Sequence, residues 1–277
     1  MESIILISIL LGTVVGSLFA LTGAGGAVIG VPLLILSLPL SVAQAAPVAL
    51  VAVSLSAWIG AIAGLKAGTV RYKAAALIAA AGGPMTLLGL WVAYRTPDAL
   101  LTLIFSGILA YIAFIMWRGR SASGPLLPDE HGFGRAPCVI QIETGRLAWN
   151  WSCVRILALS GAGAGFLSGL LGVGGGFLVV PALSKATELS MQSVVATCLA
   201  VVALISTTTV FFAVVDGRIN WAIALPFAAG AAIGMLAGRR LAPRIPGHIL
   251  QKAFALIALM IALGMALTLV FRSARNL

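Results

Sequence analysis

The sequence is short of charge. Only 9% of its 277 residues are Asp, Glu, Lys or Arg, where a soluble domain carries about 25%. Seven residues are acidic and two are histidine. None of these nine lies inside a long apolar run, which leaves no carboxylate pair, catalytic cluster or metal-ligand set within the apolar part of the chain. No catalytic residue, metal or cofactor is therefore expected. Cysteine is scarce too. Cys138, Cys153 and Cys198 form no CxxC pair, and the reading of the residues is three free, small hydrophobic side chains. Also missing is the alternation of polar and apolar residues that a membrane-spanning strand needs, so a β-barrel is excluded.

What is present is continuous hydrophobicity. The chain is 61% hydrophobic, with a mean hydropathy of +1.14. Its apolar runs reach about 20 residues, the length of a bilayer-spanning helix. The class is all-α integral membrane protein, multi-pass, placed in the cell's inner (plasma) membrane. A net charge of +10 could suggest nucleic acid. Here the basic residues sit in short loops and one linker, as orientation signals do, so no nucleic-acid partner is expected. The N-terminus carries Glu2 where a signal peptide carries a positive charge, and it reads as a retained first helix.

The chain repeats itself. A shift of 149 residues brings Gly16 onto Gly165, Gly23 onto Gly172, Gly25 and Gly26 onto Gly174 and Gly175, and Pro32 onto Pro181. The register continues through Ser41 and Ser190, Gly68 and Gly217, Gly89 and Gly238, Pro97 and Pro246. Glycines and prolines in register over about a hundred residues mark an internal duplication. The predicted domains are a first membrane repeat at 1–118, a linker at 119–153 and a second repeat at 154–277. Within the linker, "CVIQIETGRLAW" reads as a small surface hairpin. Apolar segments are predicted at 4–21, 27–40, 43–65, 72–94 and 99–117, and again at 154–171, 177–185, 191–215, 220–242 and 248–271.

Each repeat opens with two segments divided by glycines: "LTGAGGAVIGVPLL" at 21–34 and "LLGVGGGFLVVPAL" at 170–183. The charges discriminate between two arrangements. If each divided segment were one straight helix, the halves would face the same way and the 17 Lys and Arg would split 11 to 6. If each is a helical hairpin with its tip in the membrane, the second half is inverted and the split is 13 to 4. The positive-inside rule favours inversion, with the linker cytoplasmic and both termini outside. The expected fold is thus two inverted repeats, each a Gly-broken hairpin plus three transmembrane helices.

Irregular backbone at membrane depth survives only where protein buries it or a polar cavity meets it. A short helix starting after such a break presents free N–H groups at the positive end of its dipole, and this end binds anions. Broken helices of inverted repeats meeting near the midplane form a transporter arrangement. The alternative is close packing. Gly12/Gly16, Gly161/Gly165/Gly169 and Gly230/Gly234/Gly238 have the small-xxx-small spacing of helix contacts and are assigned to it. The substrate-lining candidates are Gly23, Ala24, Gly25 and Gly26 at the first break, and Gly172, Val173, Gly174, Gly175 and Gly176 at the second.

Two copies of a GxGGGxxxxPxL pattern, "GAGGAVIGVPLL" at 23–34 and "GVGGGFLVVPAL" at 172–183, are followed by "GTVRY" at 68–72 and "GRINW" at 217–221. Over nearly the whole chain outside the linker, this resembles the TauE/SafE anion exporters. Ala27 replaces the last glycine of the first copy, and Ile219 replaces a valine in the second later motif. The resemblance implies export of sulfite, a sulfonate or another small sulfur-containing or carboxylate anion.

Few polar side chains are available to complete such a site. Thr22 lies beside the first break, Ser54 and Ser56 on the third segment, and Ser206 and Thr207 at matching depth in the second half, with Ser206 in register with Ala57. Their hydroxyls either meet an oxyanion or bond the helix carbonyl four residues back. Gln44 and Gln192 open their helices. Trp58, Trp91, Trp117 and Trp221 read as interfacial anchors or packing. The expected partners are a small anion and the lipid bilayer, and nothing in the sequence sets an oligomeric state. A membrane-embedded enzyme and a scaffold are the competing classes, the enzyme requiring catalysis at Asp129, Glu130, His131 and Glu143 of the linker.

Overall fold

A computed structural model describes residues 2–22, 27–38, 40–117, 138, 150–187, 189–241 and 256–265. They are helical, apart from turns and one isolated bridge between Cys138 and Thr187. The helices are α1 (Glu2–Thr22), α2 (Ala27–Ser37), α3 (Val42–Lys66), α4 (Tyr72–Arg95), α5 (Asp98–Trp117), α6 (Trp151–Leu171), α7 (Gly176–Ala186), α8 (Met191–Val215) and α9 (Trp221–Leu241). An apolar helix α10 covers Leu256–Met265. Six of them, α1, α3, α4, α6, α8 and α9, are long and apolar enough to cross a membrane.

The 149-residue shift carries Glu2–Thr22 onto Trp151–Leu171, Ala27–Ser37 onto Gly176–Ala186, and Val42–Lys66 onto Met191–Val215, with no change of boundary. The local chemistry explains this agreement. Ser41 caps α3 with a capping box, its hydroxyl accepting from the Gln44 N–H while its own N–H donates to Gln44 Oε1. At the same place in the second half, Ser190 caps α8 by accepting from the Ser193 N–H. Gln44 is thus a capping residue. Both short helices carry a central proline, Pro32 and Pro181, which removes one backbone donor from each.

Glycines set the packing, as expected of helices that have no hydrophobic force between them in lipid. A Cβ on Gly12 would strike the backbone at Phe227, and one on Gly16 the backbone at Ala231, so α1 and α9 are in main-chain contact. The counterparts 149 residues away do the same on α4 and α6: Gly161 against Ile78, and Gly165 against Gly82. Gly238 against Ser17 is likewise matched by Gly89 against Phe166. In both pairs the residue numbers rise together, so α1 runs parallel to α9 and α4 parallel to α6. Between the pairs lie α3 and α8. Ser54 meets Thr207, Gly60 meets Leu199 and Gly64 meets Ala196, so these two corresponding helices run antiparallel.

Two of the three cysteines depart from the expectation of free thiols. Cys138 and Cys153 form a disulfide with Cα atoms 5.1 Å apart, and only Cys198 is free. Sequence spacing could not reveal this. The Cys138 N–H donates to the Ala186 carbonyl at the end of α7, and the disulfide joins residue 138 to the first turn of α6. The hairpin expected within "CVIQIETGRLAW", and most of the linker with it, lies outside the described residues.

Candidate functional site

The second glycine break is built from three left-handed residues. α6 ends when Gly172 takes φ 71°, its N–H donating to the Ser168 carbonyl. Gly174 and Gly175 have φ values of 76° and 68°. Side chains with a Cβ rarely adopt this conformation, so the glycines are required here. The chain then turns back along α6. Gly175 lies against the Ala164 carbonyl, and Leu178 reaches Gly163. α7 therefore begins beside the middle of α6, and its N-cap, Gly175, offers no side-chain cap. By contrast α3, α6 and α8 are capped by Ser41, Asn150 and Ser190.

Gly174 sits at the centre of the fold. A Cβ there would stand 3.0 Å from Ser206 Oγ, 3.0 Å from a methyl of Val53 and 3.2 Å from one of Val202. Val53 and Val202 correspond under the 149-residue shift, and each is the twelfth of 25 residues in its helix. The break thus reaches the midpoints of α3 and α8 together. Ser206 is fully buried and its hydroxyl has no hydrogen-bond partner. Ser56 and Ser168 also carry buried hydroxyls without a partner. Residues Gly172 to Gly176 are all buried, so the break is closed over in this conformation.

The other candidates are placed differently. Gly23, Ala24, Gly25 and Gly26 lie outside the described residues. The Thr22 hydroxyl donates to the Leu18 carbonyl. Thr207 donates to the Ala203 carbonyl, again four residues back. Thr207 also accepts the Trp58 indole N–H at 2.9 Å and lies 3.0 Å from the Ser54 hydroxyl. Ser54, Trp58 and Thr207 thus clasp α3 to α8 on the more exposed side of that pair, while Ser206 faces the break. Trp58 was expected at an interface or in packing, and its polar tie came without a sequence signal. Its register partner is Thr207 itself, 149 residues on. Replacing Thr207 with Val removes both ties. Loosening of the α3–α8 contact by about 1 kcal/mol is expected, given the modest worth of hydrogen bonds between membrane helices. A fall in the thermal midpoint with retained monodispersity, absent when Thr208 is changed to Val, checks this.

A narrow, largely apolar cleft opens beside the break, among α3, α4, α6 and α8. Its walls include Ala46, Pro47, Leu50, Leu90, Tyr94, Gly169, Leu170, Thr209 and Ala213. Arg218 stacks over the Tyr94 ring at 3.8 Å and lies 3.8 Å from Asp216 at the same end. No group of three His, Cys, Asp or Glu able to hold a metal exists among the described residues.

The sequence matches the family described as "Sulfite exporter TauE/SafE" over residues 8–265. The chain belongs to the TauE/SafE family. A "Probable membrane transporter protein" of Xylella fastidiosa (strain Temecula1 / ATCC 700964) is 31% identical over 257 residues, covering 91% of each chain. Its counterpart in strain 9a5c is 30% identical over 256 residues, again covering 91% of each. "Probable membrane transporter protein YunE" of Bacillus subtilis (strain 168) is 26% identical over 236 residues, covering 82% of this chain and 85% of the relative. No solved structure matches. The chain is therefore a multi-pass transporter of the TauE/SafE family in the plasma membrane, with apolar helices that suit that setting.

Proposed function

We propose that the protein exports a small oxyanion, sulfite, a sulfonate or a chemical relative, through a midplane site at the two glycine breaks. The observation that carries this reading is the conjunction at Gly174. A helix N-terminus without a side-chain cap begins there, beside a fully buried hydroxyl without a partner, at the mid-depth of two spanning helices. Backbone N–H groups at such an end, joined by one hydroxyl, suit an oxyanion. The family description supplies the sulfur chemistry. With the break closed over, the anion gains access only when α3 and α8 move apart, which makes the Ser54–Thr207–Trp58 clasp part of the gate.

The architecture that fits is a pair of inverted repeats, with α1–α2 and α6–α7 as hairpins and three further helices each. Support comes from α3 and α8: corresponding helices that touch while running antiparallel are related by an axis across the helices. An axis of this kind lies in the membrane plane. The charges agree, since Arg71 and Thr197 are joined at one end of the molecule and Arg218 and Tyr94 at the other. The first repeat is then 1–118, the linker 119–153 and the second repeat 154–277, with the linker cytoplasmic. The Cys138–Cys153 bridge pulls the other way, because disulfides persist in oxidising compartments. The 13-to-4 charge split outweighs it: the bridge is buried, at 0% and 2% exposure, and so is shielded from soluble reductants.

Two measurements test the proposal. Purified protein in liposomes should release radiolabelled sulfite or a short alkyl sulfonate faster than empty liposomes, and no flux for any anion in such a panel contradicts it. Single cysteines replacing Ser123 and Ser273 in a cysteine-free background should label from opposite faces of intact cells. Labelling from one face would remove the inversion.

A further inference from the structure

The narrow cleft beside the break has a counterpart in the other half, and the two differ. Adding or subtracting 149 carries Leu50 to Leu199, Pro47 to Ala196, Thr209 to Gly60, Ala213 to Gly64 and Leu90 to Arg239. The first member of each pair is buried against the narrow cleft. The second members are packed shut. A Cβ on Gly60 would come within 2.7 Å of both Leu199 and Met235, and one on Gly64 within 3.0 Å of Ala196 and Val70. Across this closed seam Arg239 donates from Nη1 to the Ile59 and Gly60 carbonyls, at 3.4 and 3.3 Å. Both bonds are long, and no carboxylate among the described residues pairs with this guanidinium.

Arg239 stands in the last turn of α9, where a long side chain can reach the interface, yet it is only partly exposed. Orientation alone does not require the inward turn: the neighbouring Arg240 is exposed and supplies a surface cation at the same helix end. Arg239 instead turns inward onto carbonyl groups that can hold it only loosely, at the position where the other half has leucine.

We propose that Arg239 is the anion-recruiting residue of a second cleft, closed in this conformation, which opens on the cytoplasmic face when the two halves exchange conformations. The inference rests on the transporter and inverted-repeat reading above. In the exchanged state α3 parts from α9, the Ile59 and Gly60 carbonyls release the guanidinium, and its forked donors take an oxyanion in their place. The ligand class is a small tetrahedral or pyramidal oxyanion on its way to the break. The outer cleft has Leu90 at the matching position, and the cation at its end, Arg218, is already engaged by the Tyr94 ring and by Asp216. The asymmetry thus favours capture on one side and discharge on the other.

The test compares Arg239→Gln with Arg240→Gln in vesicles of both orientations, with sulfite as the probe. Arg239→Gln should raise KM at the cytoplasmic face about tenfold or more and leave the opposite face within about twofold, as expected when one charged contact with an anion is lost. Arg240→Gln removes the same charge and should leave both faces within about twofold, while Arg239→Lys should recover most of the loss. A shift of both faces alike, or of neither, overturns the proposal. If Arg239→Gln does not yield monodisperse protein, the wild type decides. Its cytoplasmic-face KM should rise with ionic strength more steeply than that of the other face, and equal salt dependence at both faces overturns the proposal. Absence of wild-type flux for every anion strikes the transporter reading instead.

Discussion

Gly174→Ala should give folded protein that has lost at least about 99% of its anion flux, while Gly165→Val should give no folded protein at all. The two glycines lie in the same half but face different neighbours. A Cβ on Gly165 meets the Gly82 carbonyl oxygen and lies 2.6 Å from Gly82 Cα. Every obstructing atom is backbone, so relief requires α4 and α6 to separate. Overpacking in a core costs about 1–3 kcal/mol where side chains yield, and more where they do not. At Gly174 the neighbours are the Ser206 hydroxyl and methyls of Val53 and Val202, all on side chains that can adjust. The φ of 76° adds about 1–2 kcal/mol for a residue with a Cβ. That is tolerable for folding, yet the new methyl fills the space between the α7 N-terminus and Ser206. Size-exclusion profiles with thermal midpoints read the folding difference, and sulfite efflux from liposomes reads the other. Full flux in Gly174→Ala would mean the break only packs. Gly175 is a poor probe, because a side chain there meets the Ala164 carbonyl and its loss of flux would be a loss of fold.

Helix boundaries were legible because each is written in local chemistry. The expected 191–215 is α8 to the residue, and 43–65 differs from α3 by one residue at each end. Ser41, Ser190 and the glycines at 68 and 217 punctuate the chain without tertiary help: the caps satisfy the orphan N–H groups, and the glycines take positive φ in the turns after α3 and α8. The family was legible from the two glycine motifs. Side-chain partners were not. Four hydroxyls in a row at 206–209 look alike in sequence, yet Thr207, Thr208 and Thr209 donate to carbonyls four residues back and Ser206 does not. Only the position of Gly174 against α8 distinguishes Ser206. The Cys138–Cys153 bridge and the inward turn of Arg239 were invisible for the same reason, since each depends on a contact between segments far apart in the chain.

Efflux should follow the membrane potential without coupling to protons or Na⁺. Proton-coupled carriers hold a titrating side chain along their path. In the described helices the carboxylates Glu2 and Asp98 stand at helix ends, and Asp216 caps α8 from outside. An acidic cluster suited to Na⁺ is absent from the apolar runs as well. An anion of charge −1 leaving an inside-negative compartment gains about 2.3 kcal/mol per 100 mV. This corresponds to roughly a fortyfold outward gradient at equilibrium, and a divalent anion gains about twice the energy. Export is then downhill with no coupling residue. The measurement is sulfite or sulfonate efflux from proteoliposomes, with the potential clamped by K⁺ and valinomycin at equal pH on both sides. A permanently ionised sulfonate separates voltage from protonation, since sulfite can carry a proton itself. Sulfonate efflux should accelerate as the interior is made more negative and stay unchanged when a pH gradient is imposed at zero potential. Efflux that ignores the clamp and follows the pH gradient overturns the voltage-driven account and calls for a titrating group beyond the described helices.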